Sequence, residues 1–268
     1  MMHPFFDLQR PIIMGHRGAA GDNPENTLLS FESALAAGAQ IIESDIQLSS
    51  DGVPILLHDS ELERTTNGHG LAAKTTWLEI QALDAGAHFQ HEDGSHPFRE
   101  QGIGVPSLEE AFRRFPEARF NLEIKSPDEE ATRATLELVQ RFDREDRTLL
   151  SAGEDNIMQG LRVMLETIPV QPATGACLSE IVETIRSATK GTPIPSGVMA
   201  LQVPADFAGQ PLVTTAFVDH AHSHDIQVHV WTINDLDQIR ALLDLGVDGI
   251  ITDYPGRMHE WLNRDHGR

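Results

Sequence analysis

The sequence predicts an α/β protein, a closed (β/α)₈ barrel with a small insertion after the second strand. Three features lead to it: eight short β-rich apolar runs, segments of helical spacing between them, and a length of 268 residues, near the roughly 250 typical of such barrels. The apolar runs are Ile12–His16, Ile41–Leu48, Arg119–Lys125, Thr148–Ser151, Pro169–Thr174, Val198–Val203, Gln227–Trp231 and Gly249–Thr252. Helical periodicity falls on Asn26–Ala37, Leu108–Phe115, Asp128–Phe142, Asn156–Glu166, Leu178–Ala188, Thr215–His224 and Leu236–Leu245. Asn26, Ser107 and Asn234 are expected N-caps, since a short polar side chain there can accept from an unpaired amide. Gly38 and Gly246 follow the last periodic residues, where a left-handed residue ends a helix.

The alternation lapses between Glu63 and Pro106, a stretch rich in Gly, His, Thr and charge with only a short helical pattern around Thr76–Leu83. Residues 63–106 therefore form an inserted, lid-like region inside a single domain spanning 1–268. Loops of this length in a compact domain are usually functional or disordered, and this one leaves the barrel at its catalytic end. Upstream of it, Asp51-Gly52 marks a hairpin turn. A turn centred between those two residues places His58 opposite Asp45 on the second strand.

Composition removes several function classes. Lys and Arg number 20 against 41 Asp and Glu, a formal charge of −21, and no basic cluster is present. Nucleic-acid binding needs a cationic surface, so none is expected, and stable attachment to anionic lipid is disfavoured too. The one cysteine, Cys177, excludes an intrachain disulfide or a multi-thiolate zinc site. No basic segment followed by an apolar run opens the chain, and no stretch reaches the roughly 20 apolar residues of a membrane span. A cytoplasmic location is expected. Neither GxSxG nor a full GxGxxG occurs, so serine-hydrolase and dinucleotide-binding cues are missing.

In a (β/α)₈ barrel the reactive groups sit at the C-terminal ends of the strands. Polar residues stand there repeatedly: His16 and Arg17, Glu43 and Asp45, Glu123 and Lys125, Ser151, Gln202, Trp231, and Asp253. Alternate strand residues share a face, so Glu43 points with Asp45 and Glu123 with Lys125. Three carboxylates gathered on rigid strands suit a hard divalent cation such as Mg²⁺ or Ca²⁺, and without one they are costly to keep ionised. Arginine recognises phosphate with a planar fork of donors, and imidazoles exchange protons near neutral pH. His16, His58, Arg17, Lys125 and the carboxylates together compose a kit for phosphoryl chemistry. Lys125 has a second reading as a neutralising partner of Glu123, Trp231 as core packing, and Asp253 as a support of the site or a helix cap. His220 and His224, four residues apart, are read as an exposed helical face for want of a third metal ligand, and His88, His91 and His96 as solvated.

His16-Arg17-Gly18, Pro24-Glu25-Asn26-Thr27, Glu43-Ser44-Asp45, Asp51-Gly52, His58-Asp59 and Arg64-Thr65-Thr66-Asn67-Gly68 occur in that order. Asn121-Leu122-Glu123-Ile124-Lys125, Val230-Trp231-Thr232-Ile233-Asn234 and the stretch from Gly246 to Asp253 follow. In these blocks, which cover almost the whole chain, the sequence resembles the glycerophosphodiester phosphodiesterase family. The resemblance implies a TIM barrel that hydrolyses glycerophosphodiesters to glycerol 3-phosphate and an alcohol with one divalent cation. It implies that Glu43, Asp45 and Glu123 hold the metal, that His16 and His58 are the acid/base pair, and that Arg17 and Lys125 contact phosphate. Trp231 would wall the glycerol side.

Three rival readings use the same scaffold. A lysophospholipase D shares the chemistry but needs an apolar groove, which the sequence does not display. A non-catalytic metal- or phosphate-binding module would not need two proton carriers. A phosphatidylinositol-specific phospholipase C fits the three-carboxylate set less well.

Overall fold

The structure, a computed structural model, describes residues 2–207 and 209–265. Its strands are β1 (Ile12–Gly15), β2 (Ile41–Leu48), β3 (Pro54–Leu56), β4 (Arg119–Ile124), β5 (Thr148–Ser151), β6 (Ala173–Thr174), β7 (Ala200–Pro204), β8 (Asp206–Phe207), β9 (Gln210–Pro211), β10 (Gln227–Trp231) and β11 (Gly249–Thr252). The helices are α1 (Leu28–Ala36), α2 (Trp77–Gln81), α3 (Leu108–Arg114), α4 (Glu129–Arg141), α5 (Asp155–Leu165), α6 (Leu178–Lys190), α7 (Thr215–His222), α8 (Leu236–Asp244) and α9 (Pro255–Asp265).

Eight strands run parallel in the order β6, β5, β4, β2, β1, β11, β10, β7. They form the expected barrel. It is nearly closed: between the two end strands, the Met199 N–H donates to the Thr174 carbonyl at 3.0 Å. The bounds of β2, β5, β10 and β11 coincide with the apolar runs. β6 is much shorter than its run because Pro169 and Pro172 cannot donate to a ladder.

Strand periodicity sorts the barrel interior into layers. Residues two apart share a face, so the apolar layer of Met14, Ile41, Leu149, Ala200 and Ile251 is followed toward the C-terminal ends by His16, Glu43, Ser151, Gln202 and Asp253. Phe5 and Phe6, on a short 3₁₀ turn, are buried against the apolar layer. Truncating a buried aromatic of this kind to Ala typically costs roughly 3–5 kcal/mol. The outer faces of the strands pack on the helices in two larger clusters, one around Phe112 and Phe120, the other around Val228 and Ile250. In the first, the buried Arg144 guanidinium lies 4.6 Å from the Phe112 ring centroid and donates to the carbonyls of Phe115, Pro116 and Ala118.

Four local expectations are corrected. The β2–β3 register pairs Ile46 with Leu56 and Leu48 with Pro54, and Leu57 N–H donates to Asp45 O at 3.1 Å. Leu57 therefore stands opposite Asp45, one residue short of His58. The turn has three residues, closed by Ser49 N–H to Val53 O at 3.0 Å, and Gly52 takes φ +81°, as such turns require. Helix α1 is capped by Thr27, whose hydroxyl accepts from Ser30 N–H at 3.2 Å, and α8 by Asp235. Asn26 and Asn234 serve elsewhere, as described below. His88 and His91 are exposed, as expected, with His91 edge-on to the Phe89 ring, but His96 is half-buried and its Nδ1 bonds the Phe89 carbonyl at 2.8 Å. The C-terminal helix α9 and the small β8–β9 hairpin were not anticipated. Ser107 does cap α3, with a complete capping box to Glu110, a device worth about 1 kcal/mol. His220, on α7, and His224, just past its end, meet edge-to-face, and His220 Nε2 bonds Ser187 Oγ at 2.7 Å.

Residues 63–106 lie between β3 and α3. The stretch is organised around an apolar cluster that includes Leu62, Ala72, Ile80, Ala85 and Val105, and it is anchored to the hairpin through Ile55 and Leu57.

His229 lies on the inward face of β10, fully buried, with Nε2 bonded to Gln227 Oε1 at 2.9 Å. Its Nδ1 has no partner. Burial depresses its pKa to about 4. The unfolded imidazole protonates near 6.5, so the folded state binds fewer protons between pH 6.5 and 4 and loses stability as pH falls through that window, by roughly 3 kcal/mol in all. Equilibrium denaturation at stepped pH should show a shallower acid decline in His229→Gln than in the wild type; equal slopes would exclude His229 as the cause.

Candidate active site

The polar layer opens into a cavity of about 430 Å³ at the C-terminal ends of the strands. All eight residues singled out from the sequence border it: His16, Arg17, Glu43, Asp45, His58, Glu123, Lys125 and Trp231.

The first strand leads into a tight turn that sets the site's geometry. Gly15 and Gly18 are obligatory there, since a Cβ on Gly15 would overlap the Gly18 carbonyl and one on Gly18 would overlap Ser30. Between them Arg17 takes φ +49°, a strained value for a residue with a side chain. The turn aims the Arg17 backbone N–H at Glu43 Oε2, 2.9 Å away, and its guanidinium toward two acids. Arg17 Nη1 donates to Glu25 Oε1 at 2.7 Å, while Nε lies 3.3 Å from Asp45 Oδ2.

Parallel pairing of β2 with β4 sets Glu43 beside Asn121 and Asp45 beside Glu123. Both β2 acids are buried, at 7 % and 2 % exposure. Burial and the neighbouring Asp45 carboxylate push the Glu43 carboxyl up to about 7. Lys125 Nζ stands between Asp45 Oδ1 at 3.5 Å and Glu123 Oε2 at 2.9 Å. Burial alone would lower its pKa, but the Glu123 and Asp45 charges outweigh that and hold it raised. Asn26, at φ +56°, donates from Nδ2 to Asp45 Oδ2 at 3.1 Å and accepts from Ser44 Oγ at 2.7 Å. The residue expected to cap α1 thus positions Asp45.

Each imidazole is held by a carboxylate at Nδ1. His16 bonds Asp253 Oδ1 at 2.7 Å, and Asn234 donates to the other Asp253 oxygen at 2.6 Å. Asp253 therefore supports the site. Burial would lower the His16 pKa, but the Asp253 hydrogen bond and the Glu43 charge reverse that and leave it raised. His58 bonds Asp59 Oδ1 at 2.6 Å. Asp59 is gripped by Arg64, which also makes two 2.8 Å bonds to Glu25. Arg64, from the 63–106 segment, thereby joins the His58 and Arg17 branches. With Nδ1 engaged in each ring, Nε2 is the atom left to exchange a proton.

Glu25, Asp59, Arg64 and Asn121 have no individual role in the sequence reading, and Asn234, expected there as an N-cap, instead holds Asp253. His58-Asp59 adjacency was a usable signal, since a carboxylate next to an imidazole orients it. The contact of Arg64 with Glu25, 39 positions apart, had none. Among the described residues, no group of three His, Cys, Asp or Glu side chains encloses an ion; the Lys125 ammonium stands between two of the candidate carboxylates.

Comparison with known proteins gives concordant results. Residues 16–257 match the Glycerophosphoryl diester phosphodiesterase family. A glycerophosphodiester phosphodiesterase of Bacillus subtilis is 31 % identical, the alignment covering 94 % of this chain and 86 % of that protein. An Oleispira antarctica phosphodiesterase, solved in complex with the product sn-glycerol-3-phosphate, superposes with a TM-score of 0.76 at 28 % identity over 94 % of this chain and 97 % of that one. The glycerophosphoryl diester phosphodiesterase domain of a Mycobacterium tuberculosis protein has the same fold, with a TM-score of 0.83 at 22 % identity, covering 95 % of this chain and 100 % of that one.

Replacing Asp253 by Asn removes the carboxylate that raises His16. An NMR titration should show the His16 imidazole titrating at lower pH in Asp253→Asn than in the wild type, and an unchanged midpoint would contradict the assigned pairing.

Proposed function

The chain belongs to the glycerophosphoryl diester phosphodiesterase family, and we propose that it hydrolyses small glycerophosphodiesters to glycerol 3-phosphate and an alcohol with His16 and His58 as its proton carriers. The convergence of all eight expected side chains on one cavity carries this reading. The product complex of the Oleispira relative supports the glycerol phosphate half of the substrate.

The carboxylates of Glu43, Asp45 and Glu123 would hold one divalent cation, Mg²⁺ or Ca²⁺. The donor chemistry fits, because hard oxygens on adjacent strands suit such an ion. The buried Asn121 Oδ1, paired across from Glu43, also lacks a hydrogen-bond donor. Burial and the Asp45 charge hold the Glu43 carboxyl at about 7, and a cation beside it would favour its ionised form. When bound, the cation supplies charge that polarises the phosphate and offsets charge developing on it.

The chain's own groups account for the rest of the reaction. Arg17 and Lys125 receive the non-bridging phosphate oxygens, with Arg17 held ready by Glu25. One imidazole takes the proton of the glycerol 2-hydroxyl as that oxygen attacks phosphorus. The other protonates the head-group oxygen as its bond to phosphorus breaks, and water then opens the cyclic phosphate. Asp253 and Asp59 keep the two rings in the tautomer that presents Nε2. Trp231 walls the glycerol side.

Phosphorus NMR with glycerophosphocholine should show turnover that stops on chelation and returns with Mg²⁺ or Ca²⁺. His16→Ala and His58→Ala should each lose about 10²–10⁴-fold in turnover while keeping the cation-induced rise in melting temperature. Glu43→Gln combined with Asp45→Asn should lose that rise. Turnover indifferent to chelator would refute the metal assignment, and turnover within tenfold of wild type in either histidine variant would refute the acid/base pair.

A further inference from the structure

One strand contributes no side chain to the polar layer of the barrel. Ala173 on β6 belongs to the apolar layer beneath, so the next inward position is Gly175, whose N–H continues the ladder by donating to the Leu150 carbonyl at 2.9 Å. A Cβ on Gly175 would lie 2.8 Å from Ser151 Cβ and 3.1 Å from Gln202 Oε1. The two polar side chains, from β5 and β7, therefore flank a notch where a side chain would otherwise stand. Both border the reaction cavity. We infer that this notch receives the terminal hydroxymethyl group of the substrate's glycerol, and that the Gln202 amide, with the Ser151 hydroxyl, reads its hydroxyl. Gln202 is then a specificity-determining residue. The inference rests on the phosphodiesterase reading above and adds how its glycerol is recognised.

The chemistry of the two side chains selects a neutral hydroxyl. Gln202 Nε2 is buried without a hydrogen-bond partner, and an unpaired buried amide is costly enough to need an explanation. The last torsion of glutamine is soft, so the amide can turn either its donor or its acceptor to a ligand, and the buried Ser151 hydroxyl can also do both. An alcohol group donates and accepts at one oxygen and is matched by this pair. A phosphate oxygen would use the donors alone, and the phosphate ligands are elsewhere: β1, which leads into the Arg17 turn, stands directly across from β6 in the strand order. Ser151 and Gln202 also border an adjoining apolar cavity of about 530 Å³, walled by α6 and the β8–β9 hairpin. The notch is the polar corner where the two cavities meet.

The reaction itself identifies which hydroxyl is read. Glycerol carried on phosphate has two, and the 2-hydroxyl gives its proton to an imidazole as it attacks phosphorus. The C1 hydroxyl is the one left. Trp231, the wall of the glycerol side, stands on β10 beside Pro204 of β7, and Gln202 lies two residues deeper on the same strand. A glycerol packed on the indole thus directs its free end toward Gln202.

Phosphorus NMR with glycerophosphocholine, and with its analogue carrying hydrogen in place of the C1 hydroxyl, tests this, because both keep the attacking 2-hydroxyl. The wild type should prefer glycerophosphocholine by at least about tenfold in kcat/KM, since the analogue leaves a built hydrogen-bonding site unpaired. Gln202→Leu should bring that ratio to within about threefold, and Ser151→Ala should lower it partway. A wild-type ratio near one, with glycerophosphocholine turned over, overturns the notch alone. So does a ratio that Gln202→Leu preserves while slowing both substrates equally, which is what a merely structural glutamine would do. If Gln202→Leu does not fold, an unchanged ratio in Ser151→Ala overturns it. An unchanged ratio together with an altered preference between glycerophosphocholine and glycerophosphoethanolamine would give the notch to the head group and also overturn the proposal. Failure of the wild type on both substrates overturns the phosphodiesterase reading as well.

Discussion

Glu43 and Asp45 lie two residues apart on a strand buried along its whole length, and their mutual repulsion in that low-dielectric setting is the constraint that organises the surrounding structure. Each nearby feature reduces its free-energy cost. The strained Arg17 turn brings a backbone amide to one acid and a guanidinium to the other. Asn26 adopts a left-handed conformation to donate to Asp45. Lys125 lies between Asp45 and Glu123. Removing one partner from such a cluster leaves a buried charge uncompensated, which costs far more than loss of a surface ion pair. The two glycines flanking His16 and Arg17 belong to the same account, because only a turn without those Cβ atoms brings the arginine close enough.

Compensation extends outward in a connected set of ion pairs. Glu25 accepts from both Arg17 and Arg64, and Arg64 also donates to Asp59, which holds His58. Burial would raise the Glu25 pKa, but the two guanidiniums hold it lowered, so it remains an anion. The segment that looked like an interruption of the barrel pattern thus contributes a tie between two branches of the site. His16 stands on the other side with its own pair, Asp253 and Asn234, both from the last βα units.

Legibility in the sequence followed the range over which each feature is determined. The barrel strands were readable because a β-rich apolar run is a local property, and the polar ends of those runs identified the site directly. His16 follows from its place at the end of the first run, and Glu43, Asp45 and Glu123 from strand position together with period-two alternation. The His58 register failed by one residue because Asp51-Gly52 fits both two- and three-residue turns, and the choice is made by the Ser49 hydroxyl, which donates to Asp51 and accepts from Val53 N–H. Asn26 was misread because its amide has two uses, capping and left-handed positioning, with the same local signature. The β8–β9 hairpin has strands of two residues each, below the length at which any alternation can register. Arg64 and Glu25 belong together only after the fold has been built.

One seam runs through the barrel wall. β6 is two residues long, and the Met199–Thr174 bond links it to the next strand across the gap where the ring would close. The acids stand on β2 and β4, around the other side of the sheet order, while the apolar cavity straddles the seam between α6 and β7. Elastic compliance is therefore separated from chemical precision. The wall at the seam can spread by breaking few backbone bonds, whereas the six-residue pairing of β2 with β4 must come apart before the carboxylates shift.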